Sequence, residues 1–229
     1  MLALSFAQGR REKLRVSSTT RLIQQQQVLA TISLETSLEA EILEIDAGRG
    51  AHFHYALGPL RVETRGDERI RGLLVAGADG ARVAGTAFVT KSGSITDHRF
   101  DPPHDERSPA AGLALSLLSA ITEFPDQPLG VGARWEVSVD AQSGELSLTE
   151  TTSRDLLAIT KKAVRYRVAQ SETVSADGGT LAGAADPPSS GEWLHEFSRI
   201  FPQGKHVLEQ SLSPEGGLLV STELRLDWR

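Results

Sequence analysis

One segment, Val28 to Ile42, alternates between apolar and polar side chains, and it constrains the fold more than any other feature. A single polar residue, Thr36, interrupts the apolar positions, which are Val28, Ala30, Ile32, Leu34, Leu38, Ala40 and Ile42. A period of two over this length predicts one half-buried antiparallel strand of about 50 Å, at roughly 3.3 Å per residue. Ordinary strands have about five or six residues, so this strand predicts a large, curved sheet.

The same alternation recurs through most of the chain. It is present in Trp135–Val139, and the C-terminal part reads as a hairpin of His206–Leu212 and Leu218–Trp228. Because long strands lie on both sides of one helical segment, we expect a single domain over residues 1–229. Residues 176–191 are rich in Gly, Ala, Ser and Pro, which predicts a mobile loop.

One segment breaks the strand pattern. Ser108 and Pro109 supply an N-cap and a first-turn proline, so a helix is predicted at about 108–123, stopped by Pro125 and Pro128. Apolar residues cover nearly every side of this helix, which indicates that it is mostly enclosed. The expected fold is therefore mainly β (α+β), a large curved antiparallel sheet or half-barrel of long strands around one apolar helix.

Composition excludes several classes of function. The chain has no cysteine, which removes disulfide scaffolds, thiolate metal sites and cysteine nucleophiles. A net charge of -6 gives no general attraction to nucleic acid. No apolar run approaches the roughly 18 residues of a membrane-spanning helix. The apolar stretch Met1–Phe6 is too short for a secretion signal, so no leader is expected in this chain.

Two histidine-containing segments are candidates for metal binding. His52 and His54 lie two apart on a predicted strand, so both side chains point to one side and can share a metal if a third ligand is supplied. The alternative is that Phe53 and Tyr55 face the core and the histidines face solvent. A second polar cluster comprises Asp97, His98, Asp101, His104, Asp105 and Glu106, with a spacing that matches no known metal loop.

Sequence motifs for catalysis are absent: no nucleophile elbow, P-loop, dinucleotide fingerprint or H-E-x-x-H is present. The expectation is therefore that the protein is not an enzyme and uses no cofactor. Two basic stripes remain, and each can be a solvated strand face or a docking site for an anionic lipid surface or an acidic partner. They comprise Arg11, Lys13, Arg15 and Arg21 near the start, and Lys161, Lys162, Arg165 and Arg167 later.

The segment that follows the predicted helix carries a resemblance to a known family. It fits the pattern P-x-x-P-[VL]-x-x-G-x-x-W through Pro125, Pro128, Leu129, Gly132 and Trp135. This resembles a module of uncharacterised bacterial envelope proteins that are similar in plan to the lipoprotein-carrier half-barrel fold. The resemblance implies binding or carriage of an apolar ligand, or a structural role, at the periplasm or outer membrane. From the residues alone, a cytoplasmic location stays open.

The function expected from these features is a non-enzymatic binding module that holds a lipid or acylated ligand in the concave sheet. The residues expected to contact that ligand are Leu113, Leu117, Leu118, Ile121, Ile32, Leu34 and Trp135. The alternative is a structural or protein-interaction subunit that binds an envelope protein through strand edges or the basic stripes. A metal-dependent enzyme centred on His52 and His54 is the third possibility.

Overall fold

Long antiparallel strands and one helix make up the part of the chain that the structure describes. The structure is a computed structural model, and it describes residues 2–66, 80–103, 108–143, 146–176, 179–181, 189–213 and 217–229. The helix, α1, covers Pro109–Ser119. The strands are β1 (Arg11–Gln24), β2 (Gln27–Asp46), β3 (Gly50–Leu57), β4 (Arg61–Gly66), β5 (Val83–Thr90), β6 (Ile95–Phe100), β7 (Arg134–Ser143), β8 (Leu146–Ile159), β9 (Ala163–Ala176), β10 (Gly179–Leu181), β11 (Ser189–Glu196), β12 (Gln203–Ser213) and β13 (Leu218–Trp228). The mainly β fold predicted from the sequence is confirmed.

Strand β2 contains the alternating segment and extends it at both ends to 20 residues. Its inward-facing Leu38 and Ile42 are buried, whereas Glu39 on the other side is exposed. The turn from β1 to β2 consists of Gln25 and Gln26, whose φ angles are 48° and 66°. A two-residue hairpin of type I′ requires a positive φ at both central positions, so the glutamine run carries the turn despite its unfavourable residue type.

The strands pair in an order that divides the chain into two meanders. Along the sheet the order is β6-β5-β3-β2-β1-β13-β12-β11-β9-β8-β7, with β4 added to β2 and β10 added to β9. The two meanders join where β1 pairs with β13, from Leu14 opposite Trp228 to Gln24 opposite Leu218. Strands β6 and β7 are therefore the two ends of one open sheet, and α1 lies between them in the chain.

Helix α1 begins as the sequence predicts, because Ser108 is its N-cap and the Ser108 hydroxyl accepts a hydrogen bond from the Ala111 N–H at 3.2 Å. Its buried side packs into the core through Ala110, Ala111, Leu113, Ala114, Leu117 and Leu118. The opposite side is exposed, including Leu115 at 37%. The helix is thus covered on one side, less than the apolar composition of its sequence predicts. No helix in the described residues has the length and apolar character needed to span a membrane.

The helix ends at Ser119, earlier than the predicted boundary near residue 123. Tertiary contacts explain the difference. The hydroxyl of Thr122, which is buried, forms a hydrogen bond with the Tyr166 hydroxyl on β9. The Phe124 N–H donates to the Ser92 carbonyl at 2.6 Å. These contacts fix Thr122 to β9 and Phe124 to the turn between β5 and β6, which a further helical turn would prevent.

The concave face and the buried side of α1 enclose the core. Its largest buried side chains include Phe53, Tyr55, Tyr166, Phe124 and Phe201. At one end of the core a buried carboxylate, Glu12, accepts hydrogen bonds from the backbone N–H groups of Ile200 at 2.8 Å and Phe201 at 3.4 Å. Desolvation raises the pKa of Glu12, and these two hydrogen bonds oppose the rise.

His195 is fully buried on β11, beside the Phe124 ring at a centroid distance of 5.9 Å. Its Nε2–H donates to the Arg199 carbonyl at 3.1 Å, while Nδ1 has no hydrogen-bond partner among the described residues. Desolvation lowers the pKa of His195 to about 4, against the smaller opposing effect of its backbone hydrogen bonds. The imidazole is therefore neutral in the folded protein at pH 5, whereas it is mostly charged in the unfolded chain.

This difference predicts a loss of stability in mild acid. The pKa of His195 is lower in the folded protein than in the unfolded chain. The neutral imidazole therefore favours the folded state above pH 6.5, and this contribution is lost as the pH falls toward 4. Between pH 7.5 and pH 5 we expect His195 to account for a loss of about 2 kcal/mol in the free energy of unfolding. His195→Gln should show a correspondingly smaller loss. Urea denaturation of both proteins at the two pH values measures the difference.

Because the pKa of Glu12 is raised in the folded protein, Glu12 changes the free energy of unfolding with pH in the direction opposite to His195. The test therefore compares the pH-dependent loss of stability in the variant with that in the wild type. Equal pH dependence in wild type and His195→Gln would contradict the prediction. His52→Gln provides the matched control, since His52 is exposed on the other side of the sheet. We expect that variant to keep the wild-type pH dependence.

Candidate functional site

Three rows of side chains cross the concave face, each formed by residues paired across neighbouring strands. The middle row runs through nine strands and comprises Trp135, Arg154, Val168, Gly191, His206, Leu224, Ser18, Leu34 and Val62. Paired residues in an antiparallel sheet face the same side, so these side chains share the concave surface. At Gly191 strand β12 comes so close that a Cβ atom would lie 2.4 Å from the Lys205 carbonyl oxygen.

The rows on either side of the middle row differ in polarity. The inner row is mainly apolar and comprises Leu156, Tyr166, Trp193, Gly204, Leu226, Val16 and Thr36. The outer row is mainly polar and has two parts, Thr152 and Gln170 on one side of β11, and Leu208, Thr222, Thr20, Ile32 and Thr64 on the other. Along the strands, from the inner row through the middle row to the outer row, the concave face therefore changes from a buried apolar floor to a polar rim.

A cavity of about 280 Å³ lies between these rows and α1. The helix contributes Leu113, Ser116 and Ser119, and Ala120 follows directly after it. The sheet contributes Ser18, Thr152, Arg154, Tyr166, Val168, Gln170, Trp193, His206, Leu208, Thr222 and Leu224. The cavity thus combines aliphatic walls, one indole ring, several hydroxyl groups and two basic side chains.

Arg154 is the most unusual of these residues, because it is 7% exposed and its Nε and Nη1 atoms have no hydrogen-bond partner among the described residues. No carboxylate among the described residues forms an ion pair with it. Desolvation lowers the pKa of Arg154, while Tyr166 and Glu123 oppose the change. A guanidinium nevertheless stays protonated in proteins. The cavity wall therefore carries a buried positive charge for which the described residues supply no ion pair and no acceptor for Nε or Nη1.

His206 faces the same cavity from β12, and its Nε2 atom is buried without a hydrogen-bond partner among the described residues. Desolvation, and then the charge of Arg154, lowers the pKa of His206 to about 4. The imidazole is therefore neutral at pH 7. Among the described lining residues, Arg154 is then the side chain that carries formal positive charge at that pH.

Tyr166 forms part of the inner wall beneath Arg154. It is fully buried, and desolvation raises the pKa of Tyr166 to about 12. Its hydroxyl is already hydrogen-bonded to Thr122. The phenol is thus neutral and held by the segment that follows α1, so it closes the floor of the cavity.

The structure places the predicted ligand-contacting residues in three locations. Leu113 lines the cavity. Leu34 and Ile32 lie on the concave face in the middle and outer rows, half-buried, on the far side of β1 from Arg154. The remaining four are buried in the core rather than in the cavity wall, namely Leu117, Leu118, Ile121 and Trp135. Trp135 donates its indole N–H to the Glu123 carbonyl at 2.9 Å.

Sequence reasoning missed Arg154 and His206. A signal for Arg154 does exist: it lies two residues before the buried Leu156, so it occupies the inward parity of its strand. A charge at such a position is unusual. His206 lies two residues before Leu208 on β12, so both side chains face the same side of the sheet, and both line the cavity.

Within the part of the chain that the structure describes, the histidine pair of β3 has no metal-ligand set around it. His52 is exposed and packs against the Phe88 ring at 4.8 Å, while Phe53 and Tyr55 on the other side are buried. Across the described residues, no group of three or more potential ligands is close enough to hold a metal. In the second polar cluster, the His98 ring lies 2.7 Å from the Tyr55 hydroxyl, and residues 104–106 lie outside the described residues.

The first basic stripe is largely neutralised on the convex face of β1 and β2. Three ion pairs join the two strands, with N···O distances of 3.1 Å for Arg11–Glu41, 2.5 Å for Lys13–Glu39 and 3.0 Å for Arg15–Glu35. In the second stripe, Arg165 pairs with Glu192 at 3.3 Å. Cross-strand pairing therefore explains much of the basic patterning without an anionic partner.

Residues 176–191, predicted as a mobile loop, contain strand β10 at Gly179–Leu181 and the start of β11. The positions 177–178 and 182–188 lie outside the described residues. The apolar segment Leu73–Val75, whose residues also predict a strand, lies outside them as well.

Comparison with known proteins finds a distant structural similarity and no matching family. No family model and no curated protein matches the chain. A solved structure titled "Lipid-protein interactions in lipovitellin" is similar over 98% of this chain, with a TM-score of 0.41 and 9% sequence identity. The chain spans 25% of the length of that structure. Similarity at this level does not establish a shared fold, and the resemblance to lipoprotein carriers stays a prediction.

The burial of Arg154 without an ion pair among the described residues predicts that the ligand-free protein is more stable without this charge. Even a buried ion pair can often be replaced by apolar side chains of similar volume with no loss, or with a gain, of stability. We expect Arg154→Met to raise the free energy of unfolding of the ligand-free protein by about 1–2 kcal/mol, measured by urea denaturation. Arg167→Met, at an exposed arginine on β9, should change it by less than about 0.5 kcal/mol. A clear loss of stability in Arg154→Met would show that the guanidinium is satisfied within the fold.

Proposed function

We propose that this protein is a non-enzymatic binding module that holds a lipid or another acylated ligand between its concave sheet and α1. The observation that carries the proposal is the cavity of about 280 Å³ between the sheet and Leu113, Ser116 and Ser119 of α1. Small-molecule pockets occupy about 300–1,000 Å³ and are mostly lined by apolar side chains. The cavity is just below this range, a size suited to one acyl chain rather than several.

The character of the walls supports an aliphatic ligand. Leu113, Val168, Leu208 and Leu224 present branched aliphatic groups to the cavity, and Trp193 adds an indole face. Burial of apolar ligand surface against such groups contributes about 25 cal/mol per Å². The half-buried Leu34 and Ile32 continue the concave surface beyond the cavity. An acyl chain too long for the cavity can contact this further apolar surface.

The polar groups of the cavity favour binding over catalysis. An activated nucleophile needs a hydrogen-bonded base, and His206 Nε2 has no such partner among the described residues. The Tyr166 hydroxyl is engaged with Thr122. Ser18, Thr152 and Thr222 also line the cavity, and among the described residues none of their hydroxyl groups is hydrogen-bonded to a basic side chain.

The proposed location is the bacterial cell envelope, periplasmic or associated with the outer membrane. Its support is the resemblance of the segment Pro125–Trp135, which directly follows α1, to envelope proteins of the lipoprotein-carrier plan. An open sheet with one helix across its concave face is compatible with that plan.

A cavity-blocking variant tests the proposed function. We expect the wild type to bind the neutral dye Nile red saturably, near one per chain. Ser116→Phe places a ring in the cavity from an exposed helix position, and we expect it to weaken that binding by about tenfold or more. Fluorescence titration measures the affinity.

Leu115→Phe is the matched control, because Leu115 is exposed on the same helix but does not line the cavity. We expect it to bind the dye as the wild type does, and both variants to keep the wild-type stability within about 0.5 kcal/mol. The proposal fails if the wild type shows no saturable binding or if Ser116→Phe binds as well as Leu115→Phe.

A further inference from the structure

We propose that the ligand is an amphiphile with a singly charged anionic head group, a carboxylate or a phosphodiester, and that Arg154 binds this group inside the cavity. This inference rests on the proposed function and deepens it, because it assigns a charge, an orientation and a recognising residue. The deciding observation is the guanidinium of Arg154, which lines the cavity, is 7% exposed and has two nitrogen atoms without partners among the described residues.

Burial of a charged group without hydrogen bonds is strongly unfavourable, so proteins pair such groups almost always. The same structure shows the usual solution at Glu12, whose buried carboxylate accepts two backbone N–H bonds. Among the described residues, no acceptor plays this part for the Nε and Nη1 atoms of Arg154. An oxyanion in the cavity would accept from the Arg154 N–H groups and supply the missing partner, with bonds that are stronger than neutral ones.

The neighbouring side chains suit the same head group. His206 faces the cavity from the same row, across Val168 and Gly191, with a buried Nε2 that lacks a partner among the described residues. A neutral imidazole can donate one hydrogen bond through that nitrogen. Ser18 adds a hydroxyl group to the same space, while the Thr222 hydroxyl shares a hydrogen bond of 3.1 Å with the Thr20 hydroxyl. The head group therefore has one charged donor, Arg154, and the neutral donors of His206 and Ser18 available.

The charge balance favours a monoanion. His206 is neutral at pH 7, so Arg154 alone provides formal positive charge among the described lining residues. The carboxylate of Glu123 lies near enough to Arg154 to interact with it electrostatically. A second negative charge on the ligand would thus be buried near Glu123 without a cation of its own, which is costly.

The rows set the orientation of the ligand. Beneath Arg154 the inner row is closed by Tyr166 and Trp193, which are buried. The aliphatic lining residues are Leu113 of α1 and Val168, Leu208 and Leu224 of the sheet. The anionic head group accordingly lies at the middle row beside Arg154, and the acyl chain lies against these aliphatic side chains.

Binding of four amphiphiles with the same chain tests the inference in the complete protein. The probes are decanoate, decanoyl-lysophosphatidylglycerol, decanol and decyltrimethylammonium, each titrated calorimetrically below its micellar concentration at pH 7.5. Charge-assisted hydrogen bonds predict that at least one anion binds about 10- to 100-fold more tightly than decanol. The comparison of the two anions shows whether the site selects a free fatty acid or a phospholipid-type head group.

Variants at two arginines identify the recognising residue. Arg154→Met should lower the affinity for the preferred anion by about 10- to 100-fold and leave that for decanol unchanged. Arg154→Lys keeps the charge and should retain part of the preference. Arg167→Met, at an exposed position on the same sheet, should bind all four probes as the wild type does. A direct readout that needs no variant is the pKa of His206, which a bound anion should raise in an NMR titration.

The outcomes separate this inference from the proposed function. Equal binding of decanol and both anions, unchanged in Arg154→Met, would overturn the role of Arg154 and leave the apolar cavity intact. Tighter binding of the cation would overturn it as well. If none of the four probes binds, both proposals fail together. Should Arg154→Met fail to fold, the preference of the wild type for anion over alcohol, together with the His206 shift, decides the inference.

Discussion

The pairing of the first strand with the last is the constraint on which the rest of the structure depends. Because β1 and β13 are hydrogen-bonded along most of their length, the two meanders become one sheet whose ends are β6 and β7. The chain must travel from one end to the other, and it does so across the concave face as α1 and the segment after it. The contacts of Thr122 and Phe124 then hold this crossing against the sheet. The cavity is the space that the short helix does not fill.

The concave face buries two charged residues, Glu12 and Arg154, whose surroundings differ. Glu12 is buried and fully engaged with the backbone of Ile200 and Phe201, so it joins the strand to the chain that closes one end of the core. Arg154 is equally buried but lacks partners for two nitrogen atoms within the described residues. Proteins keep groups that weaken the fold where function needs them. The unfavourable position of Arg154 therefore points to the cavity as the functional part of the molecule.

Sequence periodicity predicted the elements well but not the site. The alternation in Val28–Ile42 and the Ser108–Pro109 signal depend on local physics, so both were confirmed. The end of α1 was placed too late, because the Thr122–Tyr166 contact joins residues that are distant in the sequence. The middle row is likewise created by register across many strands, which one strand's pattern cannot reveal. Apolar character alone led to Leu113, which lines the cavity, and equally to core residues such as Leu117.

The most direct test of this account is native mass spectrometry of protein purified from cells without detergent, with an organic extract of the same sample analysed in negative-ion mode. The account predicts an additional mass bound near one per chain, which the extract identifies as a single-chain amphiphile with one negative charge. A chain that carries no additional mass, together with an extract free of such molecules, would contradict it. A bound neutral or cationic lipid would retain the apolar cavity and remove the role given to Arg154.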